Sequence, residues 1–314
     1  MTERPHQRES PSSRYGTGLS PFNPPWPVEV DLHLHTTASD GTLSPTLLIE
    51  KVAATPLKTV AITDHDSTAG IDEALAAASK HPVLTVIAGI EFGTEEDDSE
   101  VHLLGYFINY RSRELQDTLT RFQEERVEAA RLTVRKLATL GVQISWERVR
   151  ELAGGTVGRP HIARAMVEGG YVRTVAEAFE RYLGTDGAAR VPRPKLPPLD
   201  ALDLIHRMGG VGVVAHPRTV KQTELMVSRL GAGGLAGIEV YAEKYGQEER
   251  ERYKSIARTY GLIECGGSDF HNFGSVGEVM PGVSGPPPDT ARLLLERARL
   301  LHGAKVGCVP ERSL

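Results

Sequence analysis

The sequence predicts an α/β fold, a mostly parallel sheet or barrel interrupted by a helical insertion. Short apolar, β-branched runs alternate with helical stretches in residues 28–111 and again in residues 191–314. Repeated βα units of this kind are typical of a parallel sheet or barrel. Residues 112–190, between the two parts, carry little strand signal. A length of 314 residues suits a single α/β barrel with such an insertion.

The chain begins with a segment that is too polar to add to a core. Residues 1–27 hold six prolines and four serines, so we expect a disordered tail. Ser44 and Pro45 form a cap and first-turn pair that opens the first helix. An acidic loop at residues 95–99 separates the third and fourth strands, which we expect to pair as a hairpin. The predicted elements of this part are strands at 28–35, 57–63, 83–92 and 100–108, and helices at 44–54 and 69–80.

The insertion is predicted to be entirely helical. The apolar face of its first, long helix is formed by Leu115, Leu119, Phe122, Ala130, Val134 and Leu137. Three shorter helices follow at 145–153, 160–168 and 174–183, and a Pro-, Gly- and Arg-rich linker at 186–198 leads back to the barrel. In the last part, helices at 200–208, 222–230, 247–260 and 289–302 alternate with strands at 210–215, 235–241 and 262–266.

Composition narrows the class of protein. A chain that is 40% hydrophobic and 25% charged suits a soluble globular protein. The net charge of −5 argues against a uniformly basic surface, so stable binding of duplex nucleic acid is not expected. No apolar run is long enough to span a bilayer, and the N-terminus lacks the apolar core of a signal peptide. Cys265 and Cys308 are too few for a disulfide framework. We therefore expect a cytoplasmic protein without a membrane partner.

Histidines and carboxylates gather near the ends of the predicted strands, where α/β folds place their active sites. Along the first strand, alternation puts Asp31, His33 and His35 on one face. The candidates in chain order are His33, His35, Asp40, Asp64, His65, Asp66, Glu91, His102, His216, Asp269 and His271. A buried ion-pair network is one interpretation. A cluster of imidazole nitrogens and carboxylate oxygens around metal ions accounts for all of these residues at once.

These residues resemble the PHP family, named for polymerase and histidinol phosphatase. The resemblance covers roughly residues 28–110 and 200–280, and its motifs are His33-x-His35, Asp40, Thr63-Asp64-His65, Glu91, His102, His216 and Asp269-x-His271. Within the insertion, the segment from Gly158 to Ala163 is similar to a motif of one PHP subgroup, and the segment from Gly237 to Tyr241 fits it too. That subgroup contains 3′,5′-nucleoside bisphosphate phosphatases and a bacterial 5′→3′ RNA exonuclease.

The resemblance implies a distorted (β/α)7 barrel, capped by the helical insertion, with two to three divalent metal ions. It assigns His33, His35, Glu91 and Asp269 to the first ion, Glu91, His102 and His216 to the second, and Asp40, His65 and His271 to the third. We expect Asp64 and Asp66 to orient metal-bound histidines. Histidine-rich sites with shared carboxylates suit Mn, Zn or Fe better than Mg.

Arg159 is the predicted clamp for the substrate phosphate. Its guanidinium can bind two phosphate oxygens, and a helix start at Pro160 would favour an anion there, although a surface arginine is the alternative. His161 is expected to bind the same phosphate or to protonate a leaving group. Where the subgroup often has Tyr-Val-Pro-Lys, this chain has Arg190-Val191-Pro192-Arg193. If the lysine of that motif binds phosphate, Arg193 replaces its compact ammonium charge by a planar guanidinium with paired N–H donors.

The favoured hypothesis is a metal-dependent phosphoesterase, which acts on phosphate monoesters of small nucleotides (AMP-like or 3′,5′-bisphosphate) or on terminal nucleotides of short RNA. Closely spaced divalent metals lower the pKa of a bound water from 15.7 towards about 7, which supplies a nucleophilic hydroxide. The alternatives are a histidinol-phosphatase-like enzyme, an amidohydrolase-type metal hydrolase and a non-catalytic metal-binding module. Amidohydrolase barrels usually add a bridging modified lysine at a later strand end, and no lysine lies at such a position in this sequence.

Overall fold

The computed structural model describes residues 26–97, 99–153, 157–184, 186–242, 244–272, 280–310 and 314. The predicted tail at residues 1–27 therefore lies outside the described residues, apart from Trp26 and Pro27. Trp26 packs edge-on against Tyr241, with the ring centroids 5.2 Å apart.

Seven strands form one sheet in the order in which they occur in the chain. They are β1 (Val30–Leu34), β2 (Thr59–Ile62), β3 (Thr85–Glu96), β4 (Ser99–Tyr106), β5 (Val211–Val214), β6 (Gly237–Tyr241) and β7 (Ile263–Gly266). Only β4 among them runs antiparallel to its two neighbours. The first and last strands approach each other, since the amide of His35 donates to the carbonyl of Phe270 at 3.0 Å. The sheet is thus a nearly closed barrel, which confirms the predicted α/β barrel.

Ten α-helices surround or follow the strands among the described residues. They are α1 (Pro45–Ala53), α2 (Ile71–Ala78), α3 (Arg113–Thr139), α4 (Trp146–Ala153), α5 (Arg159–Glu168), α6 (Val175–Ala178), α7 (Pro198–Arg207), α8 (Thr223–Ala232), α9 (Gln247–Tyr260) and α10 (Thr290–His302). A π-helical turn at Phe179–Leu183 continues α6. The Ser44 hydroxyl accepts a hydrogen bond from the Leu47 amide at 3.2 Å, as expected for the cap of α1.

The hairpin β3–β4 is longer than the sequence predicts. Residues 95 and 96, which we expected in an acidic loop, lie in β3 because Glu95 pairs with Glu100 and Glu96 with Ser99. Continued pairing across the hairpin therefore outweighs the loop signal of the acidic run. One result is that Glu95 and Glu100 face each other near the mouth of the barrel.

The helix α3 belongs to two apolar cores. Leu115, Leu119 and Phe122 pack into the cluster that includes the barrel strands β3 and β4. Ala130, Val134 and Leu137 lie in the C-terminal half of the helix and pack with α4 and α5 in a separate cluster. The helices α3–α6 occupy the predicted insertion, and α3 connects it to the side of the barrel. Across the described residues, no helix is long and apolar enough to cross a membrane.

Candidate metal centre

The nine residues proposed as metal ligands come together at one end of the barrel. His33, His35, His65, His216, Asp269 and His271 lie in or just beyond the carboxyl ends of parallel strands. His102 reaches the same place near the start of β4, because that strand runs in the opposite direction. Asp40 arrives on the loop between β1 and α1, and Glu91 lies within β3.

Glu91 is the centre of this cluster. Its carboxylate is fully buried and is surrounded by five imidazoles. Oε2 lies 3.0 Å from His33 Nε2, 3.1 Å from His35 Nε2 and 3.1 Å from His65 Nδ1, while Oε1 lies 2.7 Å from His102 Nδ1 and 2.8 Å from His216 Nε2. Burial alone would raise the pKa of Glu91, but the surrounding histidines hold that pKa well below its usual range. The ionised carboxylate can therefore bridge two cations.

Three groups of side chains have the spacing of metal ligands. They are His33, His35, Glu91 and Asp269; His35, Asp40, His65 and His271; and His65, Glu91 and His102. The first group has the composition that we predicted from the sequence. The second group is the set predicted for the third ion with His35 added. The third group is the set predicted for the second ion with His65 in place of His216. His65 takes that place because it stands between Glu91 and Asp40, with Nε2 at 4.0 Å from Asp40 Oδ2.

The donor set fits divalent cations. Both ring nitrogens of His35 and Oδ1 of Asp40 are buried, and among the described residues they make no hydrogen bond of normal geometry, although Glu91 Oε2 lies 3.1 Å from His35 Nε2. Neighbouring histidines of the cluster also differ in their preference for a proton. Burial lowers the pKa of His65 to about 3. At His35, Asp269 and Glu91 outweigh the effect of burial and raise the pKa to about 10. Buried imidazole nitrogens and carboxylate oxygens that lack well-formed hydrogen bonds are the ligands that transition metals take.

A buried carboxylate that our sequence analysis did not select supports two of the histidines. Glu239 Oε1 lies 3.0 Å from His33 Nδ1, and its Oε2 accepts a hydrogen bond from the His216 amide at 2.6 Å. A carboxylate on the second ring nitrogen fixes the tautomer and orientation of a ligating histidine. Glu239 could have been found from its place as the single charged residue in the apolar strand β6.

Asp64 and Asp66 make contacts other than those predicted for them. Asp64 accepts hydrogen bonds from the Thr36 amide and hydroxyl, both at 2.7 Å, and from the Ser39 hydroxyl at 2.5 Å. It therefore holds the loop that carries Asp40. Asp66 is paired with two arginines instead of an imidazole, because those guanidiniums offer stronger partners to its buried carboxylate.

A cavity of about 340 Å³ opens above the cluster. Arg159 and Arg193 both line it. The Arg159 guanidinium donates to Leu183 O and to Glu100 Oε1, each at 3.2 Å. These contacts place the predicted clamp at the cavity wall, at the first residue of α5.

His161 is buried in the first turn of α5. Its Nδ1 accepts a hydrogen bond from the Gly158 amide at 3.0 Å, and its Nε2 has no hydrogen-bond partner among the described residues. Burial lowers the pKa of His161 to about 4. The imidazole is therefore neutral near pH 7, and its proton lies on Nε2 because Nδ1 is an acceptor.

Three further cations line the cavity, and only Arg190 among them had been considered from the sequence. Arg126 projects from α3, while Arg190 and Lys195 belong to the linker. The Lys195 ammonium lies 2.6 Å from Glu100 Oε1, and the Arg190 guanidinium lies 3.3 Å from Glu95. The charged helix α3 gave no signal that distinguishes Arg126 from its solvent-facing neighbours, because the contact depends on tertiary structure.

Known proteins resemble this chain over most of its length. Residues 31–189 match the PHP domain family. Over 262 residues the chain is 35% identical to the 5′-3′ exoribonuclease Rnm of Salmonella typhimurium, covering 82% of this chain and 89% of that protein. Over 284 residues it is 30% identical to the 3′,5′-nucleoside bisphosphate phosphatase of Chromobacterium violaceum, covering 88% and 99%. A crystal structure described as a metal-dependent phosphoesterase from Bifidobacterium adolescentis aligns with a TM-score of 0.79 and 31% identity, covering 85% and 96%.

Proposed function

This chain belongs to the PHP family of phosphoesterases, and we propose that it hydrolyses phosphate monoesters of small nucleotides or releases terminal nucleotides from short RNA. The observation that carries the proposal is the position of the histidine–carboxylate cluster at the base of a cavity lined by arginines and a lysine. The cluster offers ligands for metals, and the cations offer partners for phosphate oxygens.

We propose that the cluster holds two to three divalent ions, with Mn, Zn or Fe favoured by its many imidazoles. The proposed ligands are His33, His35, Asp40, His65, Glu91, His102, His216, Asp269 and His271. Ions bound there would lower the pKa of a coordinated water and neutralise charge on the phosphoryl oxygens. Glu239 would keep His33 in the orientation that ligation requires.

The size of the cavity favours a small substrate. A volume of about 340 Å³ falls at the lower end of small-molecule sites, which span roughly 300–1,000 Å³. The net charge of −5 lends no support to an extended basic track for a long polymer. Two relatives act, by their names, on nucleoside bisphosphates and on RNA from its 5′ end. We therefore propose mononucleotides, bisphosphates or a single terminal residue as substrate, with no stable duplex binding.

Three residues of the insertion and linker are proposed to bind the substrate phosphate. Arg159 keeps donors free beyond its bonds to Leu183 and Glu100, and can turn them to phosphate oxygens. Arg193 offers a second guanidinium at the same cavity. His161 would donate from Nε2 as a neutral imidazole, a role that suits hydrogen bonding to phosphate better than proton donation to a leaving group.

A panel of phosphorylated metabolites with colorimetric detection of phosphate tests this function. We expect release of phosphate from nucleoside 3′,5′-bisphosphates or nucleotides, loss of activity with a chelator, and recovery with added Mn or Zn. Preferential hydrolysis of histidinol phosphate would overturn the nucleotide assignment. Ammonia release from C–N substrates, without phosphate release from any ester, would instead favour an amidohydrolase-type activity.

A further inference from the structure

Asp66 is held between two arginines that come from different parts of the chain. Arg126 lies in the middle of α3, and Arg193 lies in the linker that follows the insertion. Both guanidiniums contact the same carboxylate oxygen, Oδ2, with Arg193 Nη2 at 3.0 Å. The other oxygen, Oδ1, accepts a hydrogen bond from the Gly93 amide at 3.2 Å. Asp66 directly follows the proposed metal ligand His65 in the chain.

The charges of this group do not balance. Two guanidiniums face one carboxylate, so one positive charge is left over at a place where the arginine side chains are only 15% and 14% exposed. Nε of Arg126 is buried and has no hydrogen-bond partner among the described residues. Burial, followed by the nearby charge of Arg126, lowers the pKa of Arg193, which is the response expected when two cations are held together.

We propose that Asp66 is a positioning residue that holds Arg126 and Arg193 side by side as a receptor for one phosphoryl group of the substrate. Both arginines line the cavity together with His65. Two guanidiniums side by side can each direct paired N–H groups at phosphate oxygens, and the negative charge of a phosphoryl group would offset the excess positive charge. This inference rests on the proposed function, to which it adds Arg126 as a substrate-binding residue and Asp66 as the residue that orients it.

A purely local role for Asp66 is the competing explanation. The residue has a positive φ of 47° and bonds the Gly93 amide, so it also shapes the turn that carries His65. The two roles differ in what they need. A local role affects metal binding whether or not the arginines are present. A positioning role affects substrate binding only when Arg126 and Arg193 are present.

A double-mutant cycle separates these roles. Asp66→Asn is made in the wild-type chain and in the Arg126→Ala/Arg193→Ala chain, and KM, kcat and metal content are measured with adenosine 3′,5′-bisphosphate. In the wild-type chain we expect KM to rise by about ten- to a hundredfold, because misplaced arginines would lose a charge-assisted contact to the phosphoryl group, with metal content unchanged. In the chain without the arginines, we expect Asp66→Asn to change KM less than twofold. An equal loss in both chains, or loss of a metal equivalent, would overturn the proposal.

Arg126→Ala alone gives a second readout that does not depend on the folding of the Asp66 variant. It should raise KM about tenfold at unchanged metal content, and an unchanged KM would count against the receptor. Asp72→Asn is the matched control, because Asp72 forms an exposed ion pair with Arg111 at 2.6 Å on the surface. It should leave KM, kcat and metal content as they are.

Calorimetry with inorganic phosphate separates failure of this inference from failure of the proposed function. Binding to the metal-loaded protein requires no turnover, so an enzyme that hydrolyses no nucleotide still reports on the receptor. We expect the Kd for phosphate to rise about tenfold in Asp66→Asn and in Arg126→Ala, but not in Asp72→Asn. Phosphate binding that is equally tight in all four proteins would overturn the inference.

Discussion

Arg159 stands where the insertion meets the cavity, and its contacts to Leu183 and Glu100 leave part of its guanidinium available. Arg159→Ala should therefore lower kcat/KM by about one to two decades, equivalent to roughly 1.5–3 kcal/mol for a charge-assisted contact. Arg159→Lys should restore only part of the lost kcat/KM, because an ammonium cannot donate two parallel N–H bonds to a phosphate as a guanidinium can. Steady-state kinetics with elemental analysis of bound metal provides the measurement.

The control for Arg159 is a proposed metal ligand. His271→Ala should lose a metal equivalent together with activity, since its Nε2 lies 3.3 Å from Asp40 Oδ1 within one ligand group. Unchanged kinetics in Arg159→Ala would mean that this arginine is structural and that other cations hold the phosphate.

His161 leads to a prediction about pH. Because burial lowers its pKa to about 4, below the usual 6.5, the side chain loses its proton well below neutrality. The neutral form is then present throughout roughly pH 6–9, and its contribution to binding does not titrate there. We expect His161→Ala to lower kcat/KM by about tenfold, and the ratio of wild type to variant to stay flat over that range. A ratio that falls steadily as the pH rises would show that a protonated His161 acts as a proton donor.

At the scale of single residues, the sequence indicated which imidazoles and carboxylates come together better than it indicated the residues that support them. His33, Glu91 and His216 could be selected because imidazoles and carboxylates at strand ends converge in any barrel, whatever its exact closure. The supporting roles of Glu239 and Arg126 could not be assigned from the sequence, because each depends on a partner far away in the chain: His33 lies 206 residues from Glu239, and Asp66 lies 60 residues from Arg126. The contacts of Asp66 show the same limit: its neighbour His65 suggested an imidazole partner, and the fold supplied arginines.

At the scale of elements, the loop after β1 has almost no room to change. A Cβ built on Gly41 would lie 2.6 Å from the carbonyl oxygen of His35, closer than real Cβ atoms come to backbone. Gly41→Ala should therefore displace the loop and the adjacent Asp40. We expect loss of a metal equivalent and a fall in kcat on the order of 100-fold, because small misplacements in an active site are costly. Elemental analysis, kinetics and circular dichroism are the measurements.

Gly231→Ala in α8 is the matched control, since a Cβ there meets no heavy atom within 4 Å. This variant should keep full activity and metal content, and alanine should stabilise the helix by about 0.5–1 kcal/mol. Full metal loading in Gly41→Ala would show that the loop can move without disturbing Asp40, contrary to this prediction.

The antiparallel hairpin explains why element order alone does not define the site. The alternation of strands and helices predicted the barrel, and the short connection between the third and fourth strands predicted their pairing. Because β4 pairs antiparallel with β3, the beginning of β4 lies at the mouth of the barrel. His102 and Glu100 therefore reach the cavity from the beginning of a strand. The length of β3 was missed because its acidic end resembles a loop, although cross-strand pairing continues through Glu96.

At the scale of the whole molecule, metal binding and stability should be linked. The proposed ligands converge from six of the seven strands or the loops that follow them, so ions bound by them would tie together distant parts of the barrel. Removing the metal with a chelator should lower Tm, and adding Mn or Zn should restore it. A ligand at 100 times its Kd stabilises the folded state by about 2.7 kcal/mol, which sets the expected scale. Differential scanning calorimetry with and without chelator measures the shift.

Glu91→Ala serves as the control for that experiment. It removes the carboxylate shared by two ligand groups, so its Tm should respond much less to added metal than that of the wild type. A wild-type Tm that is the same with chelator and with metal would contradict the link between metal binding and stability.

The helix α3 has a consequence for how this architecture can vary. Its 27 residues span roughly 40 Å, with one end packed into the barrel core and the other into the core of the insertion. Deleting one residue between these ends would turn the far half by about 100° and pull it back by about 1.5 Å, so its apolar face would no longer meet α4 and α5. Changes of about seven residues, close to two full turns, preserve that angular phase. The insertion can therefore diverge freely on its surface, whereas the length of its supporting helix is confined to widely spaced values, and grafting it between relatives requires matching that length first.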